Sequence, residues 1–192
     1  MDEEQHWEDR ALAALSEQLT AARAHFELVV VGGSALVALG LVERATKDVD
    51  VVGIRSGAGL LSAEPFPEAL AAAVSRVARD LGLPADWLNA GPTALLDLGL
   101  PDGFLDRAHR VEIGSGLIVF YADRFDQIHL KLYAMVDQAG GRHEEDLRAL
   151  APAEEELIAA ARWTTSHDPS VGFRAQLLLA LGKLGVDDAA LE

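Results

Sequence analysis

Apolar positions recur along this chain at two spacings, and each change of spacing marks a new element. Between residues 4 and 24, Trp7, Leu12, Leu15 and Leu19 recur among charged residues. That spacing predicts an amphipathic helix, and its acidic first turn suits the helix dipole. Trp7 and His6 read as packing and surface residues. Residues 29–31 and 49–52 are short, β-branched and apolar, predicting two buried strands. Between them Gly32-Gly33-Ser34 opens a short helix over residues 35–41. Residues 55–67, rich in Gly, Ser and Pro, predict a loop. Glu68–Leu81 then predicts a helix with Leu70, Val74, Val77 and Leu81 inward and Gly82 closing it.

After Pro84, the piece Asp86-Trp87-Leu88-Asn89 predicts a third strand. Gly99, Pro101 and Gly103 break residues 91–110 into short helical pieces, with Arg107, His109 and Arg110 gathered at the end as solvated charges or phosphate contacts. Residues 111–121 predict a hairpin around Gly114-Ser115-Gly116. A helix over 123–138 places Phe125, Ile128, Leu132 and Met135 inward and Lys131 at the margin of that stripe. Gly140 and Gly141 end it, and residues 143–150 form the next helix with Asp146 on its first turn. Two more helices, from Pro152 to 163 and from Asp168 to 184, complete the chain; Leu191 and Glu192 have no role. The fold class is therefore α/β (α+β): a small mixed sheet flanked by helices over residues 1–150, followed by a C-terminal helical layer over 151–192.

Two stretches carry chemistry. Successive side chains on a strand point to opposite faces, so Asp48 and Asp50 aim the same way. A carboxylate pair at a strand end holds Mg²⁺ and leaves positions for water and phosphate. The plain alternative is a solvated strand edge, but Val49, Val51 and Val52 predict burial, where an unpaired charge is costly. The Gly32-Gly33-Ser34 turn lets the backbone approach a ligand and presents N–H groups to an anion. Alternatively it is only a tight turn with Ser34 as an N-cap. Arg55 and Ser56 lie in the following loop, either touching a nucleotide or simply connecting strands.

Gly33-Ser34 followed after a spacer by Asp48-Val49-Asp50 resembles the signature of the nucleotidyltransferase superfamily of the polymerase beta type. The version Thr46-Lys47-Asp48-Val49-Asp50 is similar to the AbiEii-like branch, which includes toxins of bacterial toxin–antitoxin pairs and the MenT enzymes that add nucleotides to tRNA ends. Two further motifs of that branch are matched, Lys131-Leu132-Tyr133-Ala134 and Asp146 within Glu144-Glu145-Asp146-Leu147. The resemblance covers residues 27–150. It implies Mg²⁺-dependent transfer of a nucleotide from an NTP to an acceptor hydroxyl (EC 2.7.7 type). Asp48 and Asp50 would hold one or two Mg²⁺ ions, Gly33, Ser34 and Lys131 the triphosphate, and Asp146 would complete the catalytic set. In much of the superfamily a third carboxylate lies on a later strand, a role open to Glu112, although this branch favours Asp146.

Composition narrows the acceptor. Acidic residues outnumber basic ones 31 to 16, for a net charge of −15, so a broad nucleic-acid surface is not evident. A local basic patch remains compatible with tRNA, while small-molecule acceptors of the antibiotic type, protein acceptors, and a non-catalytic nucleotide-binding or antitoxin-like module stay open. Of the basic residues only three are lysines, Lys47, Lys131 and Lys183, and two of these fall within the motifs. The chain has no cysteine, which removes disulfides and thiolate chemistry. Without a signal-like start or a long apolar run, the expectation is a cytoplasmic protein that makes no use of a membrane, with a cognate antitoxin as a possible protein partner.

Overall fold

The computed structural model describes residues 7–138 and 141–186. The expected helix start at Glu4, together with His6, Gly140, Leu191 and Glu192, lies outside the described residues. In chain order the elements are α1 (Trp7–Ala21), β1 (Phe26–Val31), α2 (Gly32–Ala38), β2 (Val49–Ser56), β3 (Gly59–Leu61), α3 (Glu68–Leu81) and β4 (Leu88–Asn89). A 3₁₀ turn at Gly91–Ala94 leads into α4 (Leu95–Leu98) and α5 (Phe104–Arg107), followed by β5 (His109–Gly114) and β6 (Leu117–Tyr121). The chain ends with α6 (Arg124–Asp137), α7 (Arg142–Leu150), α8 (Glu154–His167) and α9 (Val171–Lys183). This is the expected mixed α+β class, a small mixed sheet flanked by helices.

The sheet runs β3-β2-β1-β6-β5, with β4 also pairing with β2. β1 is antiparallel to β2 and parallel to β6. The two short strands share one edge of β2: β4 pairs at Val49 and Asp50, and β3 at Ile54, Arg55 and Ser56. Residues 55–67 are therefore not simply a loop. The strand continues through Ser56 and returns as β3, because Gly57 at φ +60° makes the tight reversal.

Leu28, Val30, Val49, Val51, Leu117 and Val119 form the face that packs into the core with α1 and α3. Leu12, Leu15 and Leu19 of α1 and Leu70, Val74 and Val77 of α3 fill that core, as their helical spacing predicts. Leu81 does not join them and is 36 % exposed; it is the last residue before Gly82, which turns the chain at φ +66°. Trp87 is fully buried beneath α3, its Nε1 donating to Val74 O at 3.2 Å, and Trp7 meets it edge-on.

One irregularity in β2 changes which residues share a face. Val29 pairs with Gly53 but Val30 pairs with Val51, so Val52 is an extra residue in β2. Asp50 and Arg55, at an odd spacing, would alternate to opposite faces of a regular strand. The bulge restores them to the same face, where Arg55 lies 3.9 Å from Glu27 and its guanidinium stacks 4.5 Å from the Phe120 ring.

The chain divides into two compact units, residues 1–122 and 123–192. The boundary expected at 150/151 falls inside the second unit, since α6 packs against α7, α8 and α9 alike. Asp123 caps α6 by accepting from Phe125 N at 2.8 Å. A run of ring contacts through His129, Trp163, Tyr133 and Phe173 ties α6, α8 and α9 together. Among the described residues, no helix is long and apolar enough to cross a membrane.

Candidate functional site

The first cluster forms where β1 ends. Val31, its last residue, pairs with Asp50 of β2, so the turn that follows β1 meets that carboxylate across one strand pair. Gly32 sits at φ +75°, and a Cβ placed there would lie 2.7 Å from Asp50 Oδ2. A glycine is required on both counts, conformation and space. At Gly33 a Cβ would meet the Arg44 guanidinium at 2.8 Å and the Thr46 methyl at 3.2 Å, so a cation packs directly on the turn.

Asp50 is fixed from its other side. Asn89 Nδ2 donates to Asp50 Oδ1 at 3.1 Å, and Asn89 Oδ1 accepts from Gly91 N at 2.9 Å. The parallel pairing of Asp50 with Asn89 brings these side chains together. Asp48 lies one residue before β2, half-buried, and its carboxylate makes no hydrogen bond or ion pair among the described residues. Strand alternation applies from Val49 onward, so the shared direction expected for Asp48 and Asp50 is not enforced by strand pairing at Asp48.

The segment between α2 and β2 is anchored to α1. Trp7 Nε1 donates to Thr46 O at 3.2 Å, and Thr46 Oγ1 donates to Glu8 Oε1 in a short contact. Ser34 belongs to the turn by sequence, but its side chain is buried and its hydroxyl has no hydrogen-bond partner.

The second cluster lies within the second unit. Lys131 Nζ and Asp146 Oδ2 are 2.7 Å apart, and both side chains are almost wholly withdrawn from water. Lys131 is thus buried rather than marginal on α6. Because α7 begins at Arg142, Asp146 stands beyond the first turn, on its inward side next to buried Leu147. The structure pairs these two residues with each other, a relation that their separate motifs did not predict.

Residues 10–149 match the family described as "Nucleotidyltransferase of unknown function (DUF6036)". The chain belongs to this family. The matched span includes Gly33-Ser34, Asp48-x-Asp50, Lys131 and Asp146, so the nucleotidyltransferase assignment covers both clusters. No curated protein and no solved structure matches the chain.

Glu112 lies on β5, away from the turn that meets Asp50. It pairs with Ile118, which pairs with Glu27, four positions before Val31. That offset is roughly 13 Å along the strands. Glu112 is instead exposed and bound to Arg110 at 2.6 Å. Arg107 Nη2 donates to Asp102 O at 2.7 Å, a local turn contact. Two residues of the site escape a reading by motif, Arg44 and Asn89. Arg44 lies in the spacer with no periodicity to mark it, and Asn89 becomes visible only through the β2–β4 pairing.

Proposed function

We propose that this chain is a Mg²⁺-dependent nucleotidyltransferase that moves an NMP from an NTP to an acceptor hydroxyl, with tRNA as the acceptor, as in the AbiEii-like and MenT toxins. The observation that carries this reading is the close approach of the Gly32 turn to Asp50, where a Cβ at Gly32 would lie 2.7 Å from Oδ2, so that a glycine turn and a carboxylate stand side by side. Phosphates and their counter-ion need that combination.

Asp48 and Asp50 supply two hard oxygen donors. Mg²⁺ commonly takes one or two protein carboxylates and leaves the remaining positions to water and phosphate, so the pair fits an open site of this kind. Among the described residues no third His, Asp or Glu joins them in a metal-holding group. When bound, the ion offsets charge on the transferred phosphate and the leaving pyrophosphate.

The protein's own groups do the rest. Gly33 and Ser34 offer backbone N–H groups to the triphosphate, and the Arg44 guanidinium on Gly33 adds a cation. Within the second unit Asp146, bound to Lys131 at 2.7 Å, acts as a positioning residue for that ammonium. Asn89 holds the orientation of Asp50. The acceptor oxygen attacks the α-phosphorus, the bond to the β-phosphate oxygen breaks, pyrophosphate leaves, and the hydroxyl proton passes to solvent.

A net charge of −15 favours a second reading, with a small-molecule acceptor in place of tRNA. Each α-labelled NTP, incubated with Mg²⁺ and separately with tRNA, small hydroxyl compounds and total protein, tests both. Label on tRNA, lost in Asp50→Asn, supports the first reading; label on the small compounds alone supports the second. Label on protein would make the chain a protein modifier. Nucleotide binding without any labelled product would make it a non-catalytic binding or antitoxin-like module. A toxin role further predicts growth arrest on expression, relieved by a cognate antitoxin protein.

A further inference from the structure

A separate cavity of about 560 Å³ opens between α1, α2 and the β5–β6 hairpin. Leu12, Val37, Val111 and Ile113 give it apolar walls, and three carboxylates, Glu8, Asp9 and Glu43, line it as well. Its size and its mostly apolar lining with few polar groups are those of small-molecule sites. It lies on the side of the sheet that faces α1, whereas Asp50 shares the other side with Arg55 and Glu27.

Two hydroxyls reach this cavity. Ser34 is 5 % exposed, lines the cavity, and its Oγ has no hydrogen-bond partner. A buried hydroxyl left unpaired costs about 1–3 kcal/mol, so this group is poised for a partner from outside the chain. Tyr121 lines the same cavity, and burial together with the negative charges of Asp9 and Glu8 pushes its phenol up to about 12. It therefore stays a neutral hydroxyl.

We propose that this cavity binds a small amine, with its ammonium held by Glu8 and Asp9, its polar atoms met by Ser34 Oγ, and its carbon skeleton filling the space between α1, α2 and β5. The apolar walls require a carbon skeleton. The carboxylates select a cation and repel phosphate or carboxylate ligands, and the chain's negative field draws cations toward it. Ser34 and Val37 belong to α2, whose first residue packs on Asp50, so an occupant braces the helix behind the nucleotide-binding turn. This inference concerns the cavity alone and holds whether or not the chain transfers nucleotides.

Saturation-transfer NMR on the full chain, with no nucleotide present, tests it using n-hexylamine, hexanol and hexanoate. Hexylamine should bind saturably, hexanol about tenfold more weakly or worse, and hexanoate not at all. Val111→Phe, which fills the cavity from β5, should abolish hexylamine binding while the protein still melts cooperatively. Glu8→Gln keeps an acceptor for Thr46 and removes the charge; it should weaken hexylamine about tenfold and leave hexanol unchanged, and it decides the matter if Val111→Phe does not fold. Equal binding of amine and alcohol, retained binding in folded Val111→Phe, or no binding of hexylamine overturns the proposal.

Discussion

Lys131 Nζ and Asp146 Oδ2 form a 2.7 Å ion pair between α6 and α7 with almost no access to water. Two charges buried together stabilise each other, and either one alone is left desolvated. Asp146→Asn and Lys131→Met are each expected to cost about 3–5 kcal/mol in urea unfolding. The double change Lys131→Met with Asp146→Leu should cost clearly less than the sum of the two. Simple additivity would show that the pair is not coupled.

Gly32 and Gly40 form a matched comparison. Both have positive φ, +75° and +66°, but a Cβ at Gly40 meets nothing within 4 Å while one at Gly32 strikes Asp50 Oδ2 at 2.7 Å. Gly40→Ala should cost only about 1 kcal/mol of backbone strain. Gly32→Ala should cost more and should also weaken Mg²⁺-dependent nucleotide binding, as read by calorimetric titration. Equal losses in the two variants would show that the contact with Asp50 is immaterial.

Asn89 supports Asp50 from a neighbouring strand by a 3.1 Å hydrogen bond. Partners that orient a metal-binding carboxylate are worth about 10–100-fold in metal affinity. Asn89→Ala should therefore lower Mg²⁺ affinity in the presence of NTP by at least about tenfold with little change in the circular dichroism spectrum.

Arg124 joins α6 to the start of α8. It donates to Glu156 Oε1 at 2.6 Å and Oε2 at 3.1 Å, and to Leu150 O at 2.8 Å. The hydrogen bond from Arg124 holds the Glu156 carboxyl below its ordinary value of 4.5. A lowered folded value means that the unfolded chain binds the proton more readily. The pair's contribution is therefore complete above about pH 4.5 and fades as the pH falls through the lowered folded value. Glu156→Gln should flatten that acid limb of a stability–pH curve measured by thermal melting.

Ser34 Oγ is buried without a partner. Ser34→Ala removes a desolvated hydroxyl and should leave the free protein as stable or up to about 1 kcal/mol more stable. A clear fall in melting temperature would reveal a hydrogen bond that this hydroxyl makes.

By itself the sequence determined the elements and the order of the motifs. The strand at Val49, the helix Glu68–Leu81 and its glycine stop, the capped helix at Asp123 and the hairpin ending at Tyr121 follow from local spacing and turn chemistry, which involve residues close together in the chain. The Gly-Ser and Asp-x-Asp signature was legible for the same reason, and the family match includes it. Only the tertiary structure decided which side chains meet. The extra residue Val52 places Arg55 on the face of Asp50, a two-residue strand brings in Asn89, Arg44 folds onto Gly33, and Lys131 finds Asp146. Each of these depends on strand register or helix packing between residues distant in sequence, so no local period carries a trace of it.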